Sequence, residues 1–443
     1  MQMPEYHFSR YVFVVTGMSY IIDSSGTSKV VKAHEDIFCA NGIGYVAIFP
    51  ISRSRGEGAN WHCTTTGCYG FTVDGKFVGV MTAKEVLNTL LEFDKAGKIC
   101  IGILLHHIIR NDIDEVKWIL EKIENVPVVY YLHDFYTCCI NPNLMKNDIQ
   151  SCIDRDIPCE GCCYLGKKEE HLERVQHFLR AFENRITFVA PAEYTKEHWI
   201  AFYPEYADKT IVISHQKAIG EYTGNKEAIL SDEPLRLGFV GAQKQIKGWV
   251  IFKNVVAAAK DAGCNYDFYY FGNGSEKVDG VTPVEVDIAT QGKNAMINNL
   301  KEKRISAVFL VCVCGETYSY TTYESNAANC FIFAMQSGGN IPYTVEKNGW
   351  GHVFSTEEEL IAAVLNEHNL RNEVNNWKIN AKPGAEEYRD NDDILKLFSK
   401  TNKAKISWML SRNTLFERAK CGALNKMFVG TRLKEEHENK LKQ

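Results

Sequence analysis

Two glutamates bracket the most chemically loaded stretch of the chain, Gly315-Glu316-Thr317-Tyr318-Ser319-Tyr320-Thr321-Thr322-Tyr323-Glu324, which directly follows the apolar run 307–313 (AVFLVCV). Carboxylates accept hydrogen bonds from vicinal hydroxyls. A loop between a strand end and a helix start presents unpaired backbone N–H groups to phosphate or sugar oxygens. A second candidate is His133-Asp134-Phe135, at the end of the run 128–132 (VVYYL). There an imidazole can hydrogen-bond a hydroxyl or orient a second reactant, and Asp134 either fixes its tautomer or binds hydroxyls itself. A third is a thiol cluster: Cys138, Cys139, Cys152, Cys159, Cys162 and Cys163 fall within 26 positions, with His171 close behind. The two-residue gap of Cys159 and Cys162 suits one zinc ion, and Cys138 and Cys152 complete a tetrahedral set. Buried thiols and a redox role are the alternatives. A zinc held by four protein ligands would be structural, because no coordination position stays open.

The elements that must position these groups read as strands alternating with helices. The run 11–16 (YVFVVT) is a strand, a Ser/Gly stretch follows, and an amphipathic run through Val30, Val31, Ile37 and Phe38 is a helix. The theme returns at 45–49, 100–106 and 127–132. After the polar stretch 220–233 a new set begins with 235–240 (LRLGFV), a helix from about Trp249 to Ala262, then 266–271 and 307–313. Such alternation implies parallel sheets with crossovers. Two α/β units joined near 216–233 are expected.

The run Gly241-Ala242-Gln243-Lys244-Gln245-Ile246-Lys247-Gly248, taken with the Glu316–Glu324 loop, resembles glycosyltransferase family 4 and its relatives, most strongly over residues 235–355. The resemblance implies an α/β, GT-B fold: two Rossmann-like domains facing across a cleft, with a C-terminal helical tail. It implies that Gly241, Lys244 and Lys247 hold the donor diphosphate. Glu316 would contact the donor sugar and Glu324 the ribose hydroxyls, while Thr317, Tyr318, Ser319, Tyr320 and Thr321 cradle phosphate and sugar. The His-Asp-aromatic sequence resembles the acceptor-domain motif of a subset of that family, in which His133 would face the donor sugar as a catalytic group and Asp134 would serve the acceptor. Gly26, in Ser24-Ser25-Gly26-Thr27, fills the place of a glycine-rich loop. Departures are Ala242 where relatives carry arginine, leaving Gln243 or Lys244 as substitutes, Ser319 where most have glycine, and one retained glycine near Gly26.

The remaining properties bound the reading. At 443 residues the chain is longer than one core usually grows, and domains at 1–216 (acceptor), 217–395 (nucleotide-sugar donor) and 396–443 (basic amphipathic helical tail) are expected. A composition 45% hydrophobic and 24% charged, with net charge −5, excludes disordered and nucleic-acid-coating classes. Residues 1–10 carry no apolar signal core, so a cytoplasmic location with few or no disulfides is expected. From Lys400 onward eleven Lys/Arg stand against four Asp/Glu, interleaved with Trp408, Met409, Leu410, Leu415, Phe416, Met427 and Phe428. That pattern fits a final helix packed across both domains, peripheral contact with an anionic membrane, or both.

The function expected is retaining transfer of a sugar from a nucleotide-diphosphate sugar to a glycan or lipid-linked acceptor in surface polysaccharide synthesis, with no cofactor required for transfer. A non-catalytic nucleotide-sugar-binding partner module and a nucleotide-sugar epimerase on the same fold are the alternatives.

Overall fold

The computed structural model describes residues 6–23, 25–52, 65–153, 158–221, 229–230, 232–380, 384–398, 403–429 and 435. The chain forms two compact units: Met1–Pro142, Tyr164–His215 and Asn391–Gln443 make the first, and Asn143–Cys163 with Gln216–Asp390 the second.

The second unit is built on a six-stranded parallel sheet in the order Val281–Val284, Tyr266–Phe271, Leu235–Val240, Ala307–Leu310, Phe331–Met335, Gly351–Phe354. Numbered along the chain this is 3-2-1-4-5-6, the doubly wound order in which the topology reverses between the first and fourth strands. Both faces are covered, so the strands are apolar on both sides. Leu235, Leu237 and Phe239 join one core with Phe252, Leu360 and Val374. Val240, Val308, Leu310 and Ile332 join the other with Leu300, Ile341 and Val345. The helix Trp249–Asp261 buries Trp249, Phe252, Val255, Val256 and Ala259, an apolar stripe at helical spacing. Each buried aromatic such as Phe239 or Phe252 contributes about 1.5–3 kcal/mol.

The first unit carries an eight-stranded sheet in the order Thr210–Val212, Ile186–Ala190, Val128–Tyr131, Ile99–Leu105, Arg10–Val15, Ile43–Ser52, Thr65–Val73, Lys76–Thr82. All neighbours are parallel except the last two pairings, which are antiparallel. Asp74 and Gly75 make the turn between those last strands, both at positive φ (48° and 73°), the backbone that a two-residue hairpin requires. Here the order reverses between Arg10–Val15 and Ile99–Leu105. The helix Gly26–Ala40 starts at Ser25, whose hydroxyl accepts from the Ser28 N–H, and Thr82 with Glu85 forms a capping box on Ala83–Lys95.

The units differ from the expected domains in two places. Residues 143–163 belong to the second unit: Asn143 O accepts from the Gly315 N–H at 3.4 Å, and Met145 is buried in that unit's core. Residues 391–443 return to the first unit, where the Phe398 ring meets Phe38 edge-on at 5.4 Å. The tail is likewise not a separate helical domain. Lys405–Ile406 pairs with Ile123–Glu124, and Trp408 packs edge-on against Trp118. The helix Leu415–Val429 lies along the edge strand Lys76–Thr82, where Asn425 exchanges two 2.8 Å hydrogen bonds with the backbone of Val80. The helix thus covers a sheet edge of the first unit.

Candidate functional site

In a doubly wound sheet, ligands bind outside the carboxyl ends of the strands where the order reverses. In the second unit those ends belong to Leu235–Val240 and Ala307–Leu310, and the loops leaving them carry Lys247 and Glu316. After Gly241 (φ 132°) the chain makes a 3-10 turn, Gln245–Lys247, and Gly248 opens the helix at φ 83°. The turn is stitched to the neighbouring loop: Val313 N–H and Cys312 Sγ both donate to Ile246 O, each at 3.0 Å. A Cβ on Gly248 would lie 2.0 Å from Val311 O, so only glycine fits this crossing.

The result is that Lys247 Nζ donates to Glu316 Oε1 in an ion pair, with the Glu316 side chain 17% exposed. Burial opposes the charge on Lys247, but Glu316, with the thiols of Cys312 and Cys314, outweighs it and holds the ammonium's pKa above its usual value. Lys244 is exposed beside this turn. Gln243 is committed to structure: its amide donates to Glu276 O and accepts from Glu276 N–H, both at 2.8 Å. Of Gln243 and Lys244, only Lys244 leaves its side chain on the surface, as a cation.

Glu316 is fixed at its backbone as well. Its O accepts from Asn340 N–H at 2.7 Å, and it bridges to Gly339. Gly339, at φ 71°, approaches so closely that a Cβ would sit 2.4 Å from Glu316 N. Beyond it Thr317, Tyr318 and Ser319 are buried, Tyr320 and Thr321 half-buried, and the helix Tyr320–Ala327 begins. Ser319 Oγ and Thr321 Oγ1 share a hydrogen bond of 2.9 Å, and Tyr318 stacks on Tyr323. Glu324 lies buried within that helix. The arrangement offers a cation, a carboxylate and a helix start at one strand edge, which suits a polyhydroxylated anion.

The first unit gathers imidazoles at its own reversal point. His106 and His107 follow Ile99–Leu105, and His133 follows Val128–Tyr131. His106 Nδ1 lies 2.8 Å from His133 Nε2, and its Nε2 lies 3.1 Å from Tyr45 OH and 3.4 Å from His34 Nδ1. His133 stacks on Tyr131 and His106 and packs against His215. Burial, reinforced by the neighbouring imidazoles, pushes His106 and His133 well below the usual histidine range, and burial alone takes His34 to about 3.

Asp134 does not orient His133. Its carboxylate pairs with His107 Nδ1 at 2.9 Å and accepts from Tyr136 N–H, while His107 Nε2 lies 3.1 Å from Thr27 Oγ1. His106 is one group that holds His133, through the 2.8 Å contact of their ring nitrogens. The chain Asp134–His107–Thr27 is that of an oriented general base. It was not singled out in the sequence, although His106 and His107 follow an apolar run directly; their importance depends on strand order. Gly26 lies at the exposed start of the helix Gly26–Ala40, and a Cβ there would meet nothing within 4 Å. Ser24, its neighbour in that motif, lies outside the described residues.

The four thiols expected to bind zinc are divided between the two units. Cys138 is buried in the turn after His133, in the first unit, where its N–H donates to Phe135 O, whereas Cys152, Cys159 and Cys162 belong to the second unit. Among the described residues, the thiol, imidazole and carboxylate groups whose ligand atoms do converge are Cys312, Cys314 and Glu316.

No protein-family model matches the chain, and no curated protein matches it in sequence. Solved structures do. The sucrose-phosphate synthase of Thermosynechococcus elongatus is 12% identical over 98% of this chain and 98% of its own, with a TM-score of 0.50. A glycosyltransferase from Rickettsia africae is 11% identical over 99% of this chain and 98% of its own, with a TM-score of 0.50. The likeness is one of fold: the chain has the α/β, GT-B fold.

Proposed function

We propose that the chain is a glycosyltransferase that moves a sugar from a nucleotide-diphosphate sugar onto a glycan or lipid-linked acceptor, with retention at the anomeric carbon. The observation that carries this reading is the meeting of Lys247 and Glu316 at the reversal point of the second unit's sheet. Departure of a nucleoside diphosphate leaves negative charge on phosphate and positive character on the anomeric carbon. Lys247 answers the first, with Lys244 beside it, and would exchange Glu316 for the diphosphate when donor binds. Glu316, released, accepts from sugar hydroxyls, and Glu324 from the ribose. The GT-B fold of the two solved structures, one a sucrose-phosphate synthase and one a glycosyltransferase, supports the class.

On the acceptor side His133, held neutral by burial and by His106, serves as a hydrogen-bonding group for the reacting sugar. His107, oriented by Asp134, favours a second reading of the stereochemistry. A base poised to take the acceptor proton makes direct displacement, with inversion, chemically available.

Membrane contact is supported by the tail, where Met409, Leu410, Leu415, Phe416 and Met427 are exposed in a segment that also carries Arg412, Arg418, Lys420 and Lys426. No helix among the described residues is long and apolar enough to cross a membrane. A cytoplasmic protein adsorbed to an anionic surface fits both facts.

The test is to incubate the protein with UDP-, GDP- and dTDP-sugars and acceptor extracts, follow nucleoside diphosphate release, and assign the product anomer by NMR. Release that Lys247→Ala and Glu316→Ala both abolish is expected. Absence of release from every donor, in folded protein that still binds one of them, would favour the non-catalytic partner module.

A further inference from the structure

We propose that Cys312, Cys314 and Glu316 form a three-ligand site for a thiophilic divalent cation of the zinc class. After the strand Ala307–Leu310, Cys312 and Cys314 stand two residues apart with their side chains on one side, the sulfurs meeting at 3.3 Å. A tight turn, in which Glu316 N–H donates to Cys314 O at 2.8 Å, then folds the carboxylate back over both thiols.

The distances decide what these groups are arranged for. The two sulfurs are 3.3 Å apart, and Glu316 Oε1 lies 3.4 Å from Cys312 Sγ and 3.9 Å from Cys314 Sγ. With zinc–sulfur bonds of about 2.3 Å and zinc–oxygen bonds of about 2.1 Å, tetrahedral edges are about 3.8 Å for S–S and about 3.6 Å for S–O. The triangle needs adjustments of about half an ångström to receive the ion. A disulfide would instead need the sulfurs to close to about 2.05 Å, a displacement more than twice as large.

The charges also balance. Both thiol protons pass to solvent as the ion binds. Two thiolates and one carboxylate around a divalent cation leave one negative charge, and the Lys247 ammonium beside Glu316 neutralises it. Both thiols are 2% exposed, so the ion would sit in a largely dry pocket with a fourth position left for water or an incoming oxygen. Because Glu316 is a shared ligand, a bound ion withdraws it from the sugar hydroxyls proposed above, while Lys247 stays beside it. The site is independent of whether the chain transfers sugars.

The experiment is an anaerobic titration of the metal-free full chain with Co2+, reading thiolate-to-cobalt charge transfer and the intense visible bands of tetrahedral cobalt. One equivalent of Co2+, displaced by Zn2+, is expected for the wild type and for C159S/C162S, and loss of that equivalent for C312S/C314S. Glu316→Gln, which keeps both thiols, should weaken Co2+ by more than the roughly 10–100-fold that loss of an outer-sphere partner costs. Equal cobalt spectra and stoichiometry in C312S/C314S and wild type, or no such spectrum in the wild type, would overturn the proposal. Should C312S/C314S not fold, X-ray absorption of C159S/C162S carrying one zinc decides it: two sulfur ligands per zinc are expected, and none or four refute the site.

Discussion

Gly248→Ala should be far more damaging than its size suggests, and the structure says by how much. Gly248 has φ 83° and a built Cβ would stand 2.0 Å from Val311 O and 2.7 Å from Val311 C. The left-handed backbone costs an L-residue about 1–2 kcal/mol. The contact adds about 1–3 kcal/mol, since its partner is main chain and cannot rotate away. The sum, about 2–5 kcal/mol, is a large part of a domain's stability of roughly 5–15 kcal/mol. Gly263 provides the control: it lies in the same unit, at φ 69°, with nothing within 4 Å of a built Cβ. Gly263→Ala should therefore show only the backbone cost, about 1–2 kcal/mol. Urea unfolding of both variants, followed by circular dichroism, isolates the Val311 contact as their difference. If the two variants lose the same stability, the crossing of the Lys247 turn over Val311 is not the tight contact described, and the account of how Lys247 is positioned fails with it.

Two further outcomes are expected. The buried imidazoles make the first unit acid-sensitive: an unfolded histidine takes up a proton near pH 6.5, whereas His34 in the fold does so only at about 3. Between those values the unfolded chain binds the extra proton, so stability is full above about pH 6.5 and falls as the pH drops through it. His34 alone removes about 1.4 kcal/mol between pH 7.5 and 5.5, and His106, His133 and His215, shifted in the same direction, steepen the slope; urea midpoints that do not move over this range would contradict it. On the second reading, in which His107 takes the acceptor proton, Asp134→Asn lowers sugar transfer by about 10²–10⁴-fold by freeing His107, while the rise in melting temperature on adding donor stays as in the wild type; unchanged transfer would refute that reading, and a lost donor effect would instead assign Asp134 a role in donor binding.

Much of this architecture was legible in the sequence because it is written locally. The apolar runs at 235–240 and 307–313, each followed by Gly or polar residues, marked strand ends, and the Lys247–Gly248 and Glu316–Glu324 segments stood at them. What was not legible depends on partners far away in the chain. Phe398 fills space that Gly102 leaves open, where a Cβ would meet its ring at 2.4 Å, and this pairing draws residues 391–443 back to the first unit. His106 and His107 gain meaning only once Ile99–Leu105 is known to neighbour Arg10–Val15 at the reversal of strand order. The adjacency of Asp134 to His133 suggested a pair, but the turn after the strand aims the carboxylate at His107 instead. Cys312 and Cys314 read as strand residues because their neighbours are apolar. The turn at Glu316, which folds the carboxylate over them, carries no sequence signature. One missed signal was local: Asp74-Gly75 between β-branched and aromatic runs marks a hairpin.

The central claim is that the Lys247 and Glu316 pair is a nucleotide-sugar donor site. Titration calorimetry of UDP-, GDP- and dTDP-sugars against the wild type, Lys247→Ala and Glu316→Ala tests it most directly. The account predicts that one donor class binds the wild type and that each substitution weakens it about 10–100-fold, as expected for loss of a charge-assisted hydrogen bond. Equal affinity in all three proteins, or no binding of any donor to the folded wild type, would contradict it.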